Sequence, residues 1–541
     1  MPLTPDLRRG IDQIRDYLYG GGYPNPAQNA EQLSFLMFFY MFEAMDAARA
    51  RQARRPGAEP YTSAFEGEWA LRNPLNARER GAETVSNDLL RWSSWANALN
   101  GERLVSWVRD EVFPFYAEIA AAGVTNFMEG ARLVIDEPTV LSQVLTRVGD
   151  LHLEEMDADT KGDLFEHVLR QIKQAGELGQ FRTPRHVIRA IVQLVDPRLG
   201  ETVYDPAAGT AGFLVAAYDH IRLVNSSEAA IEVTEVDGKP LQRGAGDRLS
   251  RDAARQLHEE TFYGNDVDPQ MVRLATMNLS LRGLDKVRIL RRDALTRTLD
   301  RQQKIEMGLP PEGFDVVLAN PPFSGRLDKD RIVDDVKVGT TTQTELLFLQ
   351  YMLNQLKPGG RCGVVVPEGV LFGATGAHRE LRRKLIEANT VEAVLSLPGG
   401  VFQPYSGVKT SILVFRKGGE TERVMFLHAD NDGFKLDANH DQPIDADDLP
   451  GLVEAFRDRE ARGHEWQARD TEANWTEKWW FAEADAIRGA DFNLSAGRHR
   501  PQSRAQVDHR DPLEILDELR EIEREILEQL GALEQAVREL A

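Results

Sequence analysis

Residues 314–323 read FDVVLANPPF, a run suited to a buried strand that ends in Asn-Pro-Pro-aromatic. Two successive prolines remove two backbone donors, fix φ twice and bias the residue before each toward extended geometry. The result is a stiff, non-helical turn holding Asn320 and Phe323 at a strand's carboxyl end, where open parallel sheets bind their ligands. Three further predicted strands end on acidic residues. The first runs into DPAAGTAGF, with Asp205 at the strand end and Gly209, Thr210, Ala211 and Gly212 leading into a helix. Small residues let backbone approach a ligand closely, and a helix start offers free N–H groups. Only G-x-x-G of the dinucleotide fingerprint is present, and the Gly-Lys-Ser/Thr ending of a phosphate loop is absent. Alone, the loop reads equally as a tight strand–helix turn. The second strand ends FYGNDVDP. Asp266 at its tip can accept both hydroxyls of a ribose, while Asp268, followed by Pro269, is placed to cap the next helix. The third reaches Asp293. One polar residue at each of four successive strand ends describes a nucleoside-containing cofactor laid across a sheet edge.

The elements that must position these groups follow from hydrophobic period. With 541 residues, the chain is long enough for several domains and a large core. Residues 1–165 read as a helical N-terminal domain, because apolar residues recur at three-to-four spacing. From 166 to 420, short β-branched runs alternate with helical stretches, which implies βαβ units and a parallel sheet covered on both faces. Within that span, residues 226–260 look inserted, since Asp205 and Asp266 lie much further apart than the usual ~20 residues. Residues 421–505 carry no clear pattern. Residues 506–541 read as a long amphipathic helix: Leu516, Leu519, Ile526, Leu530, Leu533, Val537 and Leu540 fit a and d positions, with Glu523 interrupting one. The fold class is therefore α/β, with a helical N-terminal domain and a coiled-coil-like C-terminal helix. The greasiest run, LSFLMFFYMF at 33–42, is too short to span a bilayer and reads as a buried helix, so no membrane is expected. The N-terminus has no apolar secretory segment. The single cysteine, Cys362, excludes an internal disulfide or multi-cysteine zinc site and fits a reducing cytoplasm. It reads as a core residue. A net charge of −21 argues against gripping nucleic acid over the whole surface, although a partner can supply the positive face.

The ordered motifs resemble S-adenosylmethionine-dependent DNA N6-adenine methyltransferases, with DPAAGTAGF similar to their cofactor motif and NPPF to their catalytic tetrapeptide. LGQFRTPRHV at 178–187 resembles the element that covers the methionine end of the cofactor. With MNLSLRG, the TELLFLQY to EGVLF stretch and PYSGVKTSILVF, the pattern is most similar to modification (HsdM-type) subunits of type I restriction–modification systems. The likeness is strong over 165–420 and weaker outside it. It implies a Rossmann-like methyltransferase domain over 166–420 and S-adenosyl-L-methionine as cofactor. It also implies double-stranded DNA as substrate, a specificity subunit shared by two modification subunits, and a restriction/translocase subunit. Carried over residue by residue, it places Gln180, Phe181, Arg182, Thr183, Pro184, Arg185, Asp205, Gly209, Thr210, Ala211, Gly212, Asp266 and Asp293 at the cofactor. Asn320, Pro321, Pro322 and Phe323 fall at the reacting amine. Ala211 departs from the Gly of many methyltransferases.

The tetrapeptide also makes chemical sense by itself. An exocyclic adenine amine is planar, with its lone pair delocalised, and is a poor nucleophile. Two acceptors aimed at its N–H bonds, the Asn320 side-chain oxygen and the Pro321 carbonyl, favour a pyramidal nitrogen in the transition state. The target base must leave the duplex, and Phe323 is expected to stack on it. Phe402 or Tyr405 is a candidate second wall. Thr183-Pro184 is equally a plain helix start, and the basic runs at 48–55 and 378–384 read as solvated faces or phosphate contacts. Two other readings stand beside the leading one. They are amino-methylation of a protein glutamine or an RNA, and a non-catalytic scaffold of a DNA-modification complex.

The terminal seam generates a first prediction. Deleting residues from Asp511 onward should leave a folded, cofactor-binding chain that no longer co-purifies with a tagged specificity subunit. A truncated chain that still assembles and methylates the same DNA site removes the assembly role of this helix.

Overall fold

The computed structural model describes residues 4–54, 60–121, 128–174, 183–284, 286–323, 325–403, 406–437, 440–469 and 475–501, with a few positions between 520 and 530. The expected terminal helix at 506–541 lies almost wholly outside the described residues.

The N-terminal region is helical around one long helix, α1 (Pro26–Ala53), opened by an Asn25 side-chain cap and Pro26. Its run from Leu33 to Phe42 is apolar on every side, and all but Tyr40 is buried. Phe39 stacks on Tyr116 with centroids 4.2 Å apart. Among the described residues no helix is long and apolar enough to cross a membrane.

Beyond residue 184 the chain builds one nine-stranded sheet. Helices α2 (Arg185–Val195) and α3 (Gly212–Val224) flank β1 (Val203–Asp205) in the chain. There follow β2 (Phe262–Asp266), α4 (Pro269–Ser280), β3 (Arg288–Arg291), β4 (Phe314–Ala319) and α5 (Thr344–Gln355). Next come β5 (Leu356–Pro367), α6 (Gly376–Ala388), β6 (Asn389–Ser396), β7 (Thr410–Lys417), β8 (Arg423–His428), α7 (Leu449–Arg457) and β9 (Trp479–Glu483). Across the sheet the order is β3-β2-β1-β4-β5-β7-β6-β8-β9. The order reverses between β1 and β4, so the carboxyl ends of these two strands open a crevice between them.

The sheet corrects the expectation of parallel strands throughout. β7 is antiparallel to both its neighbours, and β9 is antiparallel to β8. A parallel neighbour requires a crossover of a dozen or more residues, usually a helix. The described residues of the connection over 397–409 form a turn and extended chain, with no helix. The chain therefore doubles back, and β7 enters beside β6. The patternless stretch after 420 supplies β8 and β9, and Met425, Trp480 and Ile487 share the sheet's core.

Helix α4 joins the two cores. Val272, Ala275 and Leu279 face the sheet, while Met271, Leu274 and Met277 enter the N-terminal cluster. The inserted stretch forms a hairpin, Ile231–Val236 with Lys239–Gly244, followed by a helix over Arg251–Glu259.

Close packing of α2 on the sheet depends on Gly363 in β5. A Cβ there would lie 2.5 Å from Val195 Cγ2 and 2.8 Å from Ile191 Cγ2. Gly363→Val should lower the urea-unfolding free energy by about 1–3 kcal/mol through overpacking. Gly369→Ala, in the short helix Glu368–Phe372 where a Cβ meets nothing within 4 Å, should instead raise it by up to about 1 kcal/mol.

Candidate functional site

The loop after β1 is held from three sides. Asp205, 1% exposed, accepts the Ala207 N–H at 3.0 Å. Burial, with the nearby Asp266 charge, pushes its carboxyl up to about 8. Asn265, next to the end of β2, donates its side-chain amide to Pro206 O at 2.9 Å and to Arg292 O at 3.2 Å. Asn278 on α4 donates to Thr210 O at 2.8 Å. Gly209 and Ala211 both adopt left-handed backbone, at φ 51° and 66°. That conformation costs a non-glycine residue roughly 1–2 kcal/mol, which explains physically why glycine suits position 211. Gly209 has open space where its Cβ would be, whereas a Cβ on Gly212 would sit 3.1 Å from Ile188 Cδ1. Gly209 thus leaves room for a ligand, and Gly212 lets α3 pack on α2.

Asp266 uses one lone pair of each oxygen on the backbone. Oδ2 accepts from Gly209 N and Oδ1 from Asp268 N, both at 2.9 Å. A carboxylate has about four acceptor positions, so two remain for a ligand. Burial raises its pKa. Asp268 caps α4 as expected, accepting from Gln270 N at 2.8 Å. Asp293 accepts from Leu295 N at 3.0 Å.

Asn320 follows β4. Its Nδ2 donates to Thr183 Oγ1 at 2.8 Å, and its Oδ1 is buried without a hydrogen-bond partner. Thr183, 6% exposed, stands just before α2. A cavity of about 1040 Å³ brings Thr183, Asp205, Gly209, Asp266, Asp293 and Asn320 into one wall. Thr210, Gly212, Arg185 and Pro322 also line it, but Pro184, Ala211, Pro321 and Phe323 do not.

Other candidate residues have partners within the fold. Phe323 is 6% exposed and packs edge-to-face on Phe402 at 5.7 Å, so in this conformation its ring props the tetrapeptide and offers no face for stacking. Phe402 is the support, itself 2% exposed, and not a second wall of the cavity. Arg185 lines the cavity, yet its guanidinium pairs with Glu166 and lies 3.9 Å from Asp237. In the basic run at 378–384, Arg382 is buried and donates to Phe492 O, Val370 O and Gly373 O. It ties loops together rather than facing phosphate. Cys362 is fully buried in β5, and burial pushes its thiol up. Gln180, Phe181, Arg182 and Tyr405 lie outside the described residues.

Other contributors carried no readable signal in the sequence. The inserted hairpin walls the cavity through Val233, Leu241 and Arg243, and Arg243 is anchored by Asp163 at 2.7 Å. Arg292 donates to Tyr204 and Asn265 at 3.2 Å, bracing the ends of β1 and β2 from behind. A polar residue one position before a strand-end aspartate, as Asn265 is, was the available clue.

The arrangement provides acidic acceptors for a hydroxyl-rich or cationic ligand, beside one amide oxygen aimed at a further donor. Residues 156–508 match the N-6 DNA methylase family model, and residues 7–148 match the HsdM N-terminal domain. The methylase subunit of the type I restriction enzyme EcoEI from Escherichia coli is 32% identical over 359 residues. That alignment covers 64% of this chain and 66% of the relative, just under two thirds. A chain solved in work on complex assembly and conformational transition of the type I R-M system is 27% identical. It superposes with a TM-score of 0.67 over 99% of both chains. The type I methyltransferase subunit from Streptococcus thermophilus shares the fold at 17% identity, with a TM-score of 0.61 over 92% of this chain and 99% of its own.

The buried Asp205 sets a pH dependence in the ligand-free protein. Its folded value of about 8 lies above the ordinary 3.8 of the unfolded chain. Its stabilising contribution is therefore complete below about pH 4 and is lost as pH rises toward 8. Asp205→Asn should show a shallower fall in unfolding free energy across that window than the native chain. Equal slopes in urea titrations would remove the assignment.

Proposed function

Since the chain belongs to the N-6 DNA methylase family, we propose that it transfers a methyl group from S-adenosyl-L-methionine to the N6 amine of an extruded adenine in DNA. It would do so as the modification subunit of a type I restriction–modification complex, with a specificity subunit choosing the site. The observation that carries this reading is Asn320. Its amide nitrogen is fixed by Thr183, and its buried oxygen is unpaired in the same cavity wall as Asp205, Asp266 and Asp293.

The residues fit the cofactor. Asp266 keeps acceptor positions for ribose hydroxyls, and Gly209 leaves open space beside it. The acidic wall suits a ligand bearing a sulfonium and an ammonium group. When bound, the cofactor supplies an electrophilic methyl on a cationic sulfur. The chain's own part is positioning and charge stabilisation. Asn320 Oδ1 accepts one N–H of the target amine, and the Pro321 carbonyl accepts the other. Charge developing on nitrogen is thus met by preorganised dipoles rather than by a base of matched pKa. Thr183 holds the amide group in place, and the donor N–H of the target amine selects its oxygen. Phe323 holds the tetrapeptide against Phe402. The net charge of −21 leaves phosphate contacts to the partner.

Two substitutions separate binding from transfer. Asn320→Ala should lower methyl transfer to cognate DNA by about 10²–10³-fold, the scale of a lost transition-state hydrogen bond, with cofactor affinity nearly unchanged. Asp266→Ala should instead weaken cofactor binding, at about 1.5–3 kcal/mol per lost charged hydrogen bond. Calorimetric titration of the cofactor beside a radiolabelled-methyl assay on the assembled complex reads both. Parallel loss of binding and transfer in Asn320→Ala would overturn the role given to that residue.

A further inference from the structure

His186, which also lines the cavity, meets Asp432 and His440, which do not. Their ligand atoms all lie within 4.8 Å of one another. His186 Nε2 stands 2.8 Å from Asp432 Oδ2, and His440 Nε2 stands 2.9 Å from the same oxygen and 3.2 Å from Oδ1. The Asp432 and His440 side chains are 0% and 1% exposed, and that of His186 is 12% exposed. Phe434 stacks on the His186 ring at 4.5 Å and closes one side. Two rings converging on one carboxylate oxygen form a three-ligand cradle from segments 246 residues apart.

We propose that this cluster binds a single zinc-class divalent cation, with His186 Nε2, His440 Nε2 and the Asp432 carboxylate as ligands. Two imidazoles and one carboxylate suit Zn²⁺ and its first-row neighbours, whereas Ca²⁺ and Mg²⁺ select oxygen-only sets. At bond lengths of about 2.0–2.2 Å, a tetrahedral site separates its ligand atoms by roughly 3.3 Å. The hydrogen-bonded N···O distances therefore open by about half an ångström, and the two imidazole nitrogens, within 4.8 Å of each other, settle at the same separation. His186 lies on α2, three residues beyond Thr183, and Asp432 and His440 lie on the segment leading to Asp447 and Leu449 in the cavity wall. The cation is a staple between that segment and the helix that positions Asn320.

The competing arrangement is a metal-free clamp, with both rings donating N–H to Asp432. The test uses the untagged full chain, stripped with a chelator and titrated with Co²⁺ and then Zn²⁺. We expect one equivalent of Co²⁺ with visible d–d absorption, displaced by Zn²⁺, and a melting temperature that rises on Zn²⁺ addition. His440→Ala and Asp432→Asn should bind Zn²⁺ at least about 100-fold more weakly, while His464→Ala, an exposed control, should match the native chain. A stripped native chain that takes up neither ion overturns the proposal, whatever the stability of the variants. So does equal metal uptake by native chain and variants. Because the native chain decides the first outcome, a variant that fails to fold leaves the test intact.

Discussion

One amide is pinned at its nitrogen and free at its oxygen, and much of the structure serves that asymmetry. Asn320 donates to Thr183 across 137 residues of chain. The bond requires the end of β4 and the start of α2 to meet, which in turn requires α2 to lie closely on the sheet. Gly363 permits that approach, and the two prolines after Asn320 keep its backbone from adjusting.

The carboxylates beside it are organised by backbone more than by countercharge. Asp205 and Asp266 are bonded to loop N–H groups and have no close cationic partner among the described residues, so burial dominates and their pKa values rise. The neighbouring cation, Arg292, is directed instead at the hydroxyls of Tyr204 and Tyr351 and the Asn265 amide. Acceptors are thereby left available to a ligand at the edge of the sheet, while the loop geometry is braced from within.

The N-terminal helical region is structurally part of the same site. Helix α4 buries opposite faces in the two cores, and its Asn278 holds the loop through Thr210 O. Arg282, 4% exposed, bonds Asn278 at 2.6 Å and Glu166 at 3.1 Å. A Cβ on Gly162 would lie 2.4 Å from the Arg282 guanidinium carbon, so that glycine admits the arginine to the helix beside it. Movement of the N-terminal helices would reach the loop after β1 through this chain of contacts.

By itself the sequence determined the strand–helix succession from 203 to 319, the Asp268 cap, the rigid Asn-Pro-Pro turn and the polar residues at strand ends. These rest on local period, proline geometry and capping, which act within a few residues and leave readable spacing. Other features belong to the tertiary structure. β7 turns back on β6 because the described residues between them form turns and extended chain, with no helix to carry a crossover. Phe323 found Phe402 in place of a free face, Arg185 found Glu166, and the inserted hairpin became a cavity wall. Thr183 and Asn320 are joined over 137 residues, and His186 and Asp432 over 246. Such pairings are chosen by which side chains the packed sheet brings within reach, and no local pattern specifies the partner.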